Sequence, residues 1–428
     1  MGVFQNNLMG AAAAAGGAAA GDFYEYQIPY SCRFEIENNT KLVRATSFSA
    51  ITTFTFSTWA KRGRTGDISS LYPCMLKCDS NKGLLFTNTD LLSILNGSAH
   101  STGSKLFRDT SAWYHIVLTV TSGTGVLYVN GVTYHSQTSM QLVGGADADT
   151  IGIGVYGTNN FDGLLAETIL IDGTAYGPDS FAEEKNGVWI PKDPSGLTFG
   201  TQGMWMKYES SGALGNDSSG NNNDYVATNL PADHQLLDSP TFSATDGNAG
   251  NFATINPFDQ AVGTNSLTAG NLVWSSISGT KNAGQRGTLA TGKTGKWYYE
   301  FKFLEAYVII GFQDASVATR WNADGYISGI TGTYAFMIFQ GNKIINGTDT
   351  GGAITAFSEG DKGMFALDLD NGKFYLGQNG TWLNSGDPTS GATGTGSFGD
   401  VVLGKNFVPI IGNHNQNDIC RANFNFGA

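Results

Sequence analysis

Two strand–turn–strand units built around Asn-Gly, one in each half of the chain, constrain the fold most. In residues 363–376 (GMFALDLDNGKFYL) apolar residues alternate with small or acidic ones up to Asn371-Gly372, which tolerate positive φ at a tight turn. Residues 125–134 (GVLYVNGVTY) repeat this pattern around Asn130-Gly131. Alternation with a period of two indicates strands that bury one face. The pattern predicts an all-β chain with two antiparallel β-sandwiches in tandem, a frame that usually displays a binding surface.

The composition agrees with that fold class. The chain has 428 residues, enough for two domains of ordinary size, with 58 glycines and only 14% charged residues. Short strands joined by tight turns use glycine and few long charged side chains. The net charge of −12 disfavours binding to nucleic acid or to anionic membrane. We therefore expect no nucleic-acid partner and no membrane insertion.

The four cysteines are Cys32, Cys74, Cys78 and Cys420. Cys74 and Cys78 have the spacing of a disulfide or of half a metal site, but no second Cys or His pair lies at ligand spacing. We expect free, mostly buried thiols, which fit assembly in a reducing cytoplasm.

The N-terminal segment, residues 1–21, is dominated by Ala and Gly. Its Ala/Gly run, residues 9–21, is too short for a transmembrane helix, and the absence of Lys and Arg before Arg33 leaves it without the basic region of a signal peptide. One interpretation is a flexible tail. The other is an arm for attachment and oligomerisation, anchored by Val3, Phe4, Leu8 and Met9, because Ala and Gly permit close backbone approach.

The first half resembles the laminin-G/concanavalin-A-like sandwich family. The resemblance rests on a strand with a Trp (residues 54–59), the strings WYHIVLTV (113–120) and VLYVNG (126–131), and FDGLLAETILID (161–172). It implies a sandwich domain over residues 22–192. Residues 193–245 are rich in Asn, Gly and Ser and are predicted to be a connector. The alternative is an extra strand laid on one of the two sandwiches, and the sequence leaves open which domain the segment belongs to.

The second half resembles the SPRY domain. The matching strings are GKWYYEF (295–301), IIGFQDAS (309–316), GDKGMFALDLDNGKFYLGQNG (360–380), FVPIIG (407–412) and NFNFG (423–427). Their order and spacing predict a second sandwich domain over residues 246–428.

The join between the halves resembles the connector of these two modules in structural proteins of tailed bacteriophages. The strings are IDGTAYGPDSF (171–181), NGVWIPK (186–192), GNDSSGNNND (215–224), LLDSP (236–240) and NFATINP (251–257), with MGVFQNNL at residues 1–8. The resemblance implies a virion protein of the tail-fibre, spike or head-fibre type, made and assembled in the host cytoplasm and placed on the virion exterior. It also implies a homo-oligomer, with a trimer as one form, and contact with other virion proteins through the arm.

A search for catalytic chemistry predicts no catalytic residue. A retaining glycosidase needs two carboxylates about 5–5.5 Å apart. The candidate pairs are Glu35 with Glu37, Glu300 with Glu305, and Asp368 with Asp370. The first lies near an expected edge strand, the second differs in strand parity, and the third belongs to the hairpin. We therefore expect a protein that is not an enzyme and has no cofactor.

Calcium is the one metal that the laminin-G resemblance leaves open. Asn159, Asn160 and Asp162 carry the oxygen ligands that this cation prefers, and so do Asp147 and Asp149. The alternative is that these residues form ordinary Asx turns.

Binding is the function that the sequence favours. Two segments carry the aromatic and amide side chains that contact sugars, and loops of this kind form the partner surface of the SPRY family. The candidate ligand-binding residues are Arg320, Trp321, Asn322, Asp324, Tyr326, His414, Asn415 and Asn417. The prediction is recognition of a host-surface glycan or receptor, with a purely architectural capsid or tail decoration protein and a glycan depolymerase as alternatives.

Overall fold

The structure is a computed structural model. For residues 2–3, 78–79 and 152–153 it describes the backbone alone. The residues that it describes are 2–3, 23–44, 50–65, 72–79, 82–97, 99–138, 152–153, 160–242, 250–260, 265–277, 283–305, 307–317, 328–352, 354–413 and 418–427.

Strands form almost all of the regular structure in these ranges. Four short 3-10 helices accompany them, at Pro178–Ser180, Ala232–His234, Leu383–Ser385 and Gly391–Thr393. The described part of the chain contains no α-helix, and the predicted all-β class is confirmed. No helix within the described ranges is long and apolar enough to cross a membrane.

Contacts divide the chain into two compact units, a first unit of residues 7–251 and a second unit of residues 1–6 and 252–428. The short strand β1 (Gly2–Val3) belongs to the second unit. The strands of the first unit are β2 (Ser31–Phe34), β3 (Lys41–Arg44), β4 (Phe54–Arg62), β5 (Cys74–Asp79), β6 (Lys82–Phe86), β7 (Leu91–Asn96), β8 (Ala99–Leu106), β9 (Trp113–Thr121), β10 (Thr124–Val129), β11 (Val132–Gln137), β12 (Gly152–Ile153), β13 (Gly163–Asp172), β14 (Ala182–Lys185), β15 (Val188–Pro191), β16 (Met204–Met206), β17 (Tyr225–Thr228) and β18 (Gln235–Leu236).

Two antiparallel sheets make up the first unit. One has the strand order β11-β10-β9-β4-β13-β2-β18, with β16 also paired to β13. The other has the order β17-β3-β12-β5-β6-β7-β8, and β14 and β15 form a separate hairpin. The segment of residues 193–245 therefore supplies β16, β17 and β18 to the first unit.

The first sheet is buried on both faces. Ile116 and Leu118 of β9 lie in the main core, which both sheets share, whereas Val117 lies in a second cluster on the other face. Phe181 and Phe199, from the segment that follows β13, cover this second face. Burial of each such side chain contributes about 1.5–3 kcal/mol relative to its exposed state. This is why β9 and β13 are apolar at nearly every position rather than at every second one.

The second unit also contains two sheets. One has the order β20-β21-β32-β23-β28-β29-β30, with β1 parallel to β23, and the other is the antiparallel sheet β19-β22-β31-β24-β25-β26-β27. The strands are β19 (Ile255–Gln260), β20 (Asn265–Thr268), β21 (Val273–Ser276), β22 (Gly284–Gly287), β23 (Lys296–Glu305), β24 (Val308–Asp314), β25 (Thr333–Met337), β26 (Asn342–Ile345), β27 (Thr348–Gly352), β28 (Lys362–Asp368), β29 (Lys373–Gln378), β30 (Thr381–Trp382), β31 (Phe407–Asn413) and β32 (Arg421–Asn425).

Aromatic rings fill the space between these two sheets. Phe365 of β28 stacks on Tyr299 of β23 at 5.6 Å and meets Phe312 of β24 edge-on at 4.9 Å. The Tyr299 hydroxyl donates a hydrogen bond to the carbonyl of Gly311 at 3.0 Å, which links the two sheets. A Cβ at Gly311 would lie 2.1 Å from the Tyr334 carbonyl oxygen, so this position requires glycine.

The two Asn-Gly turns differ from each other. Asn130 and Gly131 both have positive φ and form the two-residue turn that the sequence predicts. At the second turn only Gly372 has positive φ, and four residues separate the paired ends Asp368 and Lys373. The expectation that Asn371 also takes positive φ is wrong, because the Asp368 side chain accepts hydrogen bonds from the amides of residues 370 and 371 and holds a longer turn.

Cys32, Cys74 and Cys420 are buried thiols outside any disulfide, as the sequence predicts. Burial raises the pKa of the Cys32 and Cys74 thiols, so both stay protonated and unreactive at neutral pH. The side chain of Cys78 lies outside what the structure describes.

Candidate functional site

The ligand-binding residues predicted from the sequence lie outside the described residues. They are Arg320, Trp321, Asn322, Asp324, Tyr326, His414, Asn415 and Asn417. Phe4, Leu8 and Met9 of the predicted attachment arm also lie outside, whereas the backbone of Val3 pairs with β23. These assignments stay predictions.

The strands that precede the two predicted loops end at opposite ends of one strand pair. β24 ends at Asp314, which pairs with Phe407, and β31 ends at Asn413, which pairs with Val308. Because a strand rises about 3.3 Å per residue, the two strand ends lie roughly 20 Å apart. A site beside one strand end is therefore separate from a site beside the other.

A pocket of about 660 Å³ lies at the Asp314 end of β24. Val317 and Gly329 line it, and in the sequence they stand on either side of the predicted loop residues 320–326. Tyr334 and Phe407 contribute buried aromatic surface. Its volume lies within the range of small-molecule sites in proteins. The described lining residues are Asp314, Ser316, Val317, Gly329, Ile330, Thr331, Gly332, Tyr334, Asn346, Val402, Lys405 and Phe407.

One ion pair lies in this pocket. Lys405 Nζ is 3.0 Å from Asp314 Oδ2, and the lysine side chain is 45% exposed. Asp314 Oδ1 accepts hydrogen bonds from the Ser316 amide at 2.9 Å and from its hydroxyl at 2.7 Å. Burial raises the pKa of Asp314, but the hydrogen bonds from Ser316 and Lys405 outweigh it, so this pKa lies below its ordinary value. The carboxylate is therefore ionised and both of its oxygens are engaged.

Tyr334 presents a hydroxyl to the same pocket. This hydroxyl accepts a hydrogen bond from the Val402 amide at 3.2 Å. Burial raises the pKa of Tyr334, so the hydroxyl keeps its proton at neutral pH. Within the part of the chain that the structure describes, that proton has no acceptor at hydrogen-bond distance, and the residue is 1% exposed.

The calcium candidates that are described have protein partners for some of their atoms, while the buried Asn160 Oδ1 has no hydrogen-bond partner among the described residues. The Asn160 amide donates to Asn39 Oδ1 at 2.9 Å and to the Thr40 carbonyl at 3.1 Å. Asp162 Oδ2 lies 3.4 Å from Arg64 Nε, and burial raises the pKa of Asp162 to about 6. Across the described ranges, no group of three or more His, Cys, Asp or Glu side chains is arranged to hold a metal ion. The remaining candidates, Asn159, Asp147 and Asp149, lie outside those ranges.

Four of the carboxylates considered for catalysis, Glu35, Glu37, Glu300 and Asp368, have structural partners. Glu35 pairs with Arg33 at 2.8 Å, and Glu37 pairs with Arg64. Glu300 accepts a hydrogen bond from the Tyr298 hydroxyl at 2.6 Å. Asp368 caps its turn and lies 3.1 Å from the ammonium group of Lys296.

His115 is a buried core histidine of the first unit. Trp189 Nε1 donates to its Nδ1 at 2.9 Å, so Nε2 carries the proton and donates to Ser57 Oγ, also at 2.9 Å. The ring stacks on Trp59, and burial lowers the pKa of His115 to about 3. Both nitrogens are satisfied, and the ring stays neutral at physiological pH.

Glu167 is a buried acid that the sequence analysis did not single out. It lies at a register shift in β13, with a φ of 48°, and is 5% exposed. Its oxygens accept hydrogen bonds from the Tyr26 hydroxyl, at 3.0 and 3.1 Å, and from Trp205 Nε1. Burial raises the pKa of Glu167 to about 7, although these hydrogen bonds oppose the shift. The signal in the sequence is a lone acid inside the apolar run of residues 163–171.

Replacement of Glu167 by glutamine is expected to change the pH dependence of stability. The folded pKa of about 7 exceeds the ordinary value of 4.5, so the folded state favours the protonated acid. The contribution of Glu167 to the free energy of unfolding is fully present below pH 4.5 and is lost as the pH rises to about 7, a loss of roughly 3 kcal/mol.

Urea unfolding at several pH values between 4.5 and 8 measures this loss. The difference in unfolding free energy between the wild type and Glu167→Gln should fall across that window. The corresponding difference between the wild type and the exposed control Glu184→Gln should stay constant with pH. An equal pH slope in the wild type and in Glu167→Gln would contradict the assignment.

Comparison with known proteins gives a family match for part of the first unit. Residues 37–174 match the sequence profile of the family described as the concanavalin A-like lectin/glucanases superfamily. This segment therefore has a concanavalin A-like lectin fold. No curated protein sequence matches the chain.

Solved structures with similar folds include three from different organisms. The SPRY domain of human HERC1 is 14% identical, with 40% of this chain and 96% of that chain covered and a TM-score of 0.31. A structure from Bacteroides ovatus, described as that of a carbohydrate binding protein, is 17% identical, with coverages of 47% and 59% and a TM-score of 0.37. A heptameric SAP-like pentraxin from Limulus polyphemus is 14% identical, with coverages of 35% and 78% and a TM-score of 0.27.

Proposed function

We propose that this chain is a bacteriophage virion protein that recognises a host-surface glycan or receptor without catalysis. The observation that carries the proposal is the pocket at the Asp314 end of β24, beside the segment predicted to bind a ligand. Its described lining combines buried aromatic rings, a paired lysine and a tyrosine hydroxyl, which suits reversible binding of a polar ligand.

The same lining argues against hydrolysis at this pocket. Hydrolysis of a glycosidic bond generally requires two carboxyl groups that flank the bond. Asp314 is the one carboxylate among the described lining residues, and both of its oxygens already accept hydrogen bonds. The chain is therefore proposed to bind its target without turnover.

Assembly into a homo-oligomer on the virion exterior is part of the proposal. Repetition of a weak site raises the overall avidity of an array by orders of magnitude. The N-terminal arm is proposed to make the contact with other virion proteins. The proposed function does not depend on calcium at the candidate residues 159–162.

The proposal is tested by measuring how labelled full-length protein binds to a panel of bacterial strains. We expect binding to at least one strain and its loss after periodate oxidation of the surface glycans. Thr331 is exposed and lines the pocket, so Thr331→Trp should block the pocket and weaken binding at least tenfold. Thr133→Trp, at an exposed position of β11 in the first unit, is the matched control and should bind like the wild type.

Failure to bind any strain, together with retention by purified virion proteins, would support the architectural alternative. Equal binding by the wild type and Thr331→Trp would place the recognition site elsewhere in the chain. Release of sugar fragments from a bound strain would support a depolymerase instead.

A further inference from the structure

We infer that the pocket of the second unit takes an uncharged acetamido sugar, a hexosamine whose amino group carries an N-acetyl group. This inference rests on the proposed function and narrows the ligand class. Its basis is the juxtaposition of a hydrogen-bond donor, an apolar wall and a neutralised ion pair in one pocket.

The charge of the pocket favours an uncharged ligand. Lys405 is its one cation among the described lining residues, and Asp314 pairs with it at 3.0 Å. An anionic sugar bound to Lys405 would also lie close to the ionised Asp314 carboxylate, and the repulsion between the two anions costs free energy. A cationic sugar would meet a carboxylate whose two oxygens are already engaged.

The polar groups of the pocket are mainly donors. The Tyr334 hydroxyl accepts from the Val402 amide and keeps a proton for a ligand. Lys405 uses one ammonium hydrogen on Asp314, which leaves two others. The Asn346 side-chain oxygen accepts from the Gly332 amide at 2.7 Å, so its NH₂ group faces solvent or a ligand. An amide carbonyl oxygen, with two lone pairs, is a suitable acceptor for such groups.

The pocket also has an apolar wall. Val317, Ile330 and Val402 line it, and Val402 is 50% exposed although it is apolar. An acetamido group presents a methyl group and a carbonyl oxygen on the same carbon, so one substituent uses both the wall and the donors. A sugar that carries only hydroxyl groups can offer this wall the C–H groups of its ring but no methyl group.

Saturation-transfer NMR and calorimetry on the full-length protein test this inference. The probes are the methyl glycosides of N-acetylglucosamine and N-acetylgalactosamine, with methyl glucoside and methyl galactoside as matched sugars without the acetamido group. We expect saturation transfer to the acetyl methyl group and at least fivefold tighter binding of one acetamido sugar. Val402→Ser should weaken that binding, whereas Leu403→Ser, a neighbouring residue that is 53% exposed but does not line the pocket, should not.

Tyr334→Phe removes the donor and keeps the ring. The loss of one neutral hydrogen bond should weaken acetamido-sugar binding about 3- to 10-fold, and a thermal melt checks that the variant folds. If Tyr334→Phe does not fold, the comparison of acetamido-sugar binding by Val402→Ser and by Leu403→Ser still tests the inference.

The outcomes separate this inference from the proposed function. Equal affinity for sugars with and without the acetamido group, or no binding of either, overturns the ligand class. Cell binding that Thr331→Trp weakens would then still support the proposed function. Acetamido-sugar binding without binding to any bacterial strain supports the ligand class and removes the role in host recognition.

Discussion

The Asp90→Asn substitution is expected to lower the free energy of unfolding of the first unit by about 3–5 kcal/mol. Asp90 is fully buried; its Oδ1 lies 3.0 Å from Arg62 Nη1 and its Oδ2 lies 2.8 Å from Arg108 Nε. The Arg62 side chain is also buried, and burial lowers the pKa of its guanidinium group. Loss of the carboxylate leaves this cation in the interior without its counter-charge, and that uncompensated charge is the main cost.

Hydrogen exchange read by mass spectrometry during urea unfolding reports on each unit separately. Peptides from residues 54–62 and 91–96 should lose protection at a lower urea concentration in Asp90→Asn. Asp179→Asn replaces an exposed aspartate in the same unit and should shift the midpoint little. A similar small shift in both variants would mean that the ion pair contributes little to stability.

Truncation of Phe365 to alanine is expected to destabilise the second unit by about 3–5 kcal/mol. This ring is fully buried and contacts Tyr299 and Phe312 from both sheets. Its removal forfeits the burial of a large apolar side chain and leaves a cavity between the sheets. Phe258→Ala is the matched control, because Phe258 belongs to the same unit but is 51% exposed. Hydrogen exchange of peptides from β23 and β28 measures the difference, and equal effects of the two truncations would contradict this view of the core.

Much of the fold could be predicted because strands carry their signal locally. The alternation in residues 363–376 and 125–134 gave both hairpins, and β9, β13 and β23 lie where the apolar runs predict strands. The second Asn-Gly turn was predicted in part only, since its length depends on hydrogen bonds that the Asp368 carboxylate accepts from the amides of residues 370 and 371. The ownership of residues 193–245 could not be read from the sequence, because it depends on pairing with strands far away in the chain.

The candidate site could be predicted less well. In the sequence the predicted loop residues 320–326 stand between two residues that line the pocket, but the pocket itself is assembled from segments between residues 314 and 407. Asp314 stood in the string IIGFQDAS without being singled out, because its partner Lys405 is distant in sequence. Buried partners such as Tyr26 and Trp205 around Glu167 are hidden for the same reason. Short-range patterns locate strands, whereas a site depends on contacts that only the folded chain creates.

The last strands of the first unit in chain order, β16, β17 and β18, have a consequence for synthesis on the ribosome. Lys61 of β4 is buried and lies 2.7 Å from Asp238, whose other oxygen accepts a hydrogen bond from Trp113 Nε1 at 3.0 Å. A nascent chain that has not yet reached Asp238 has β4 and β9 but lacks the counter-charge of Lys61. We therefore expect the first unit to complete its fold only after Asp238 has left the ribosomal tunnel, later than most of its strands.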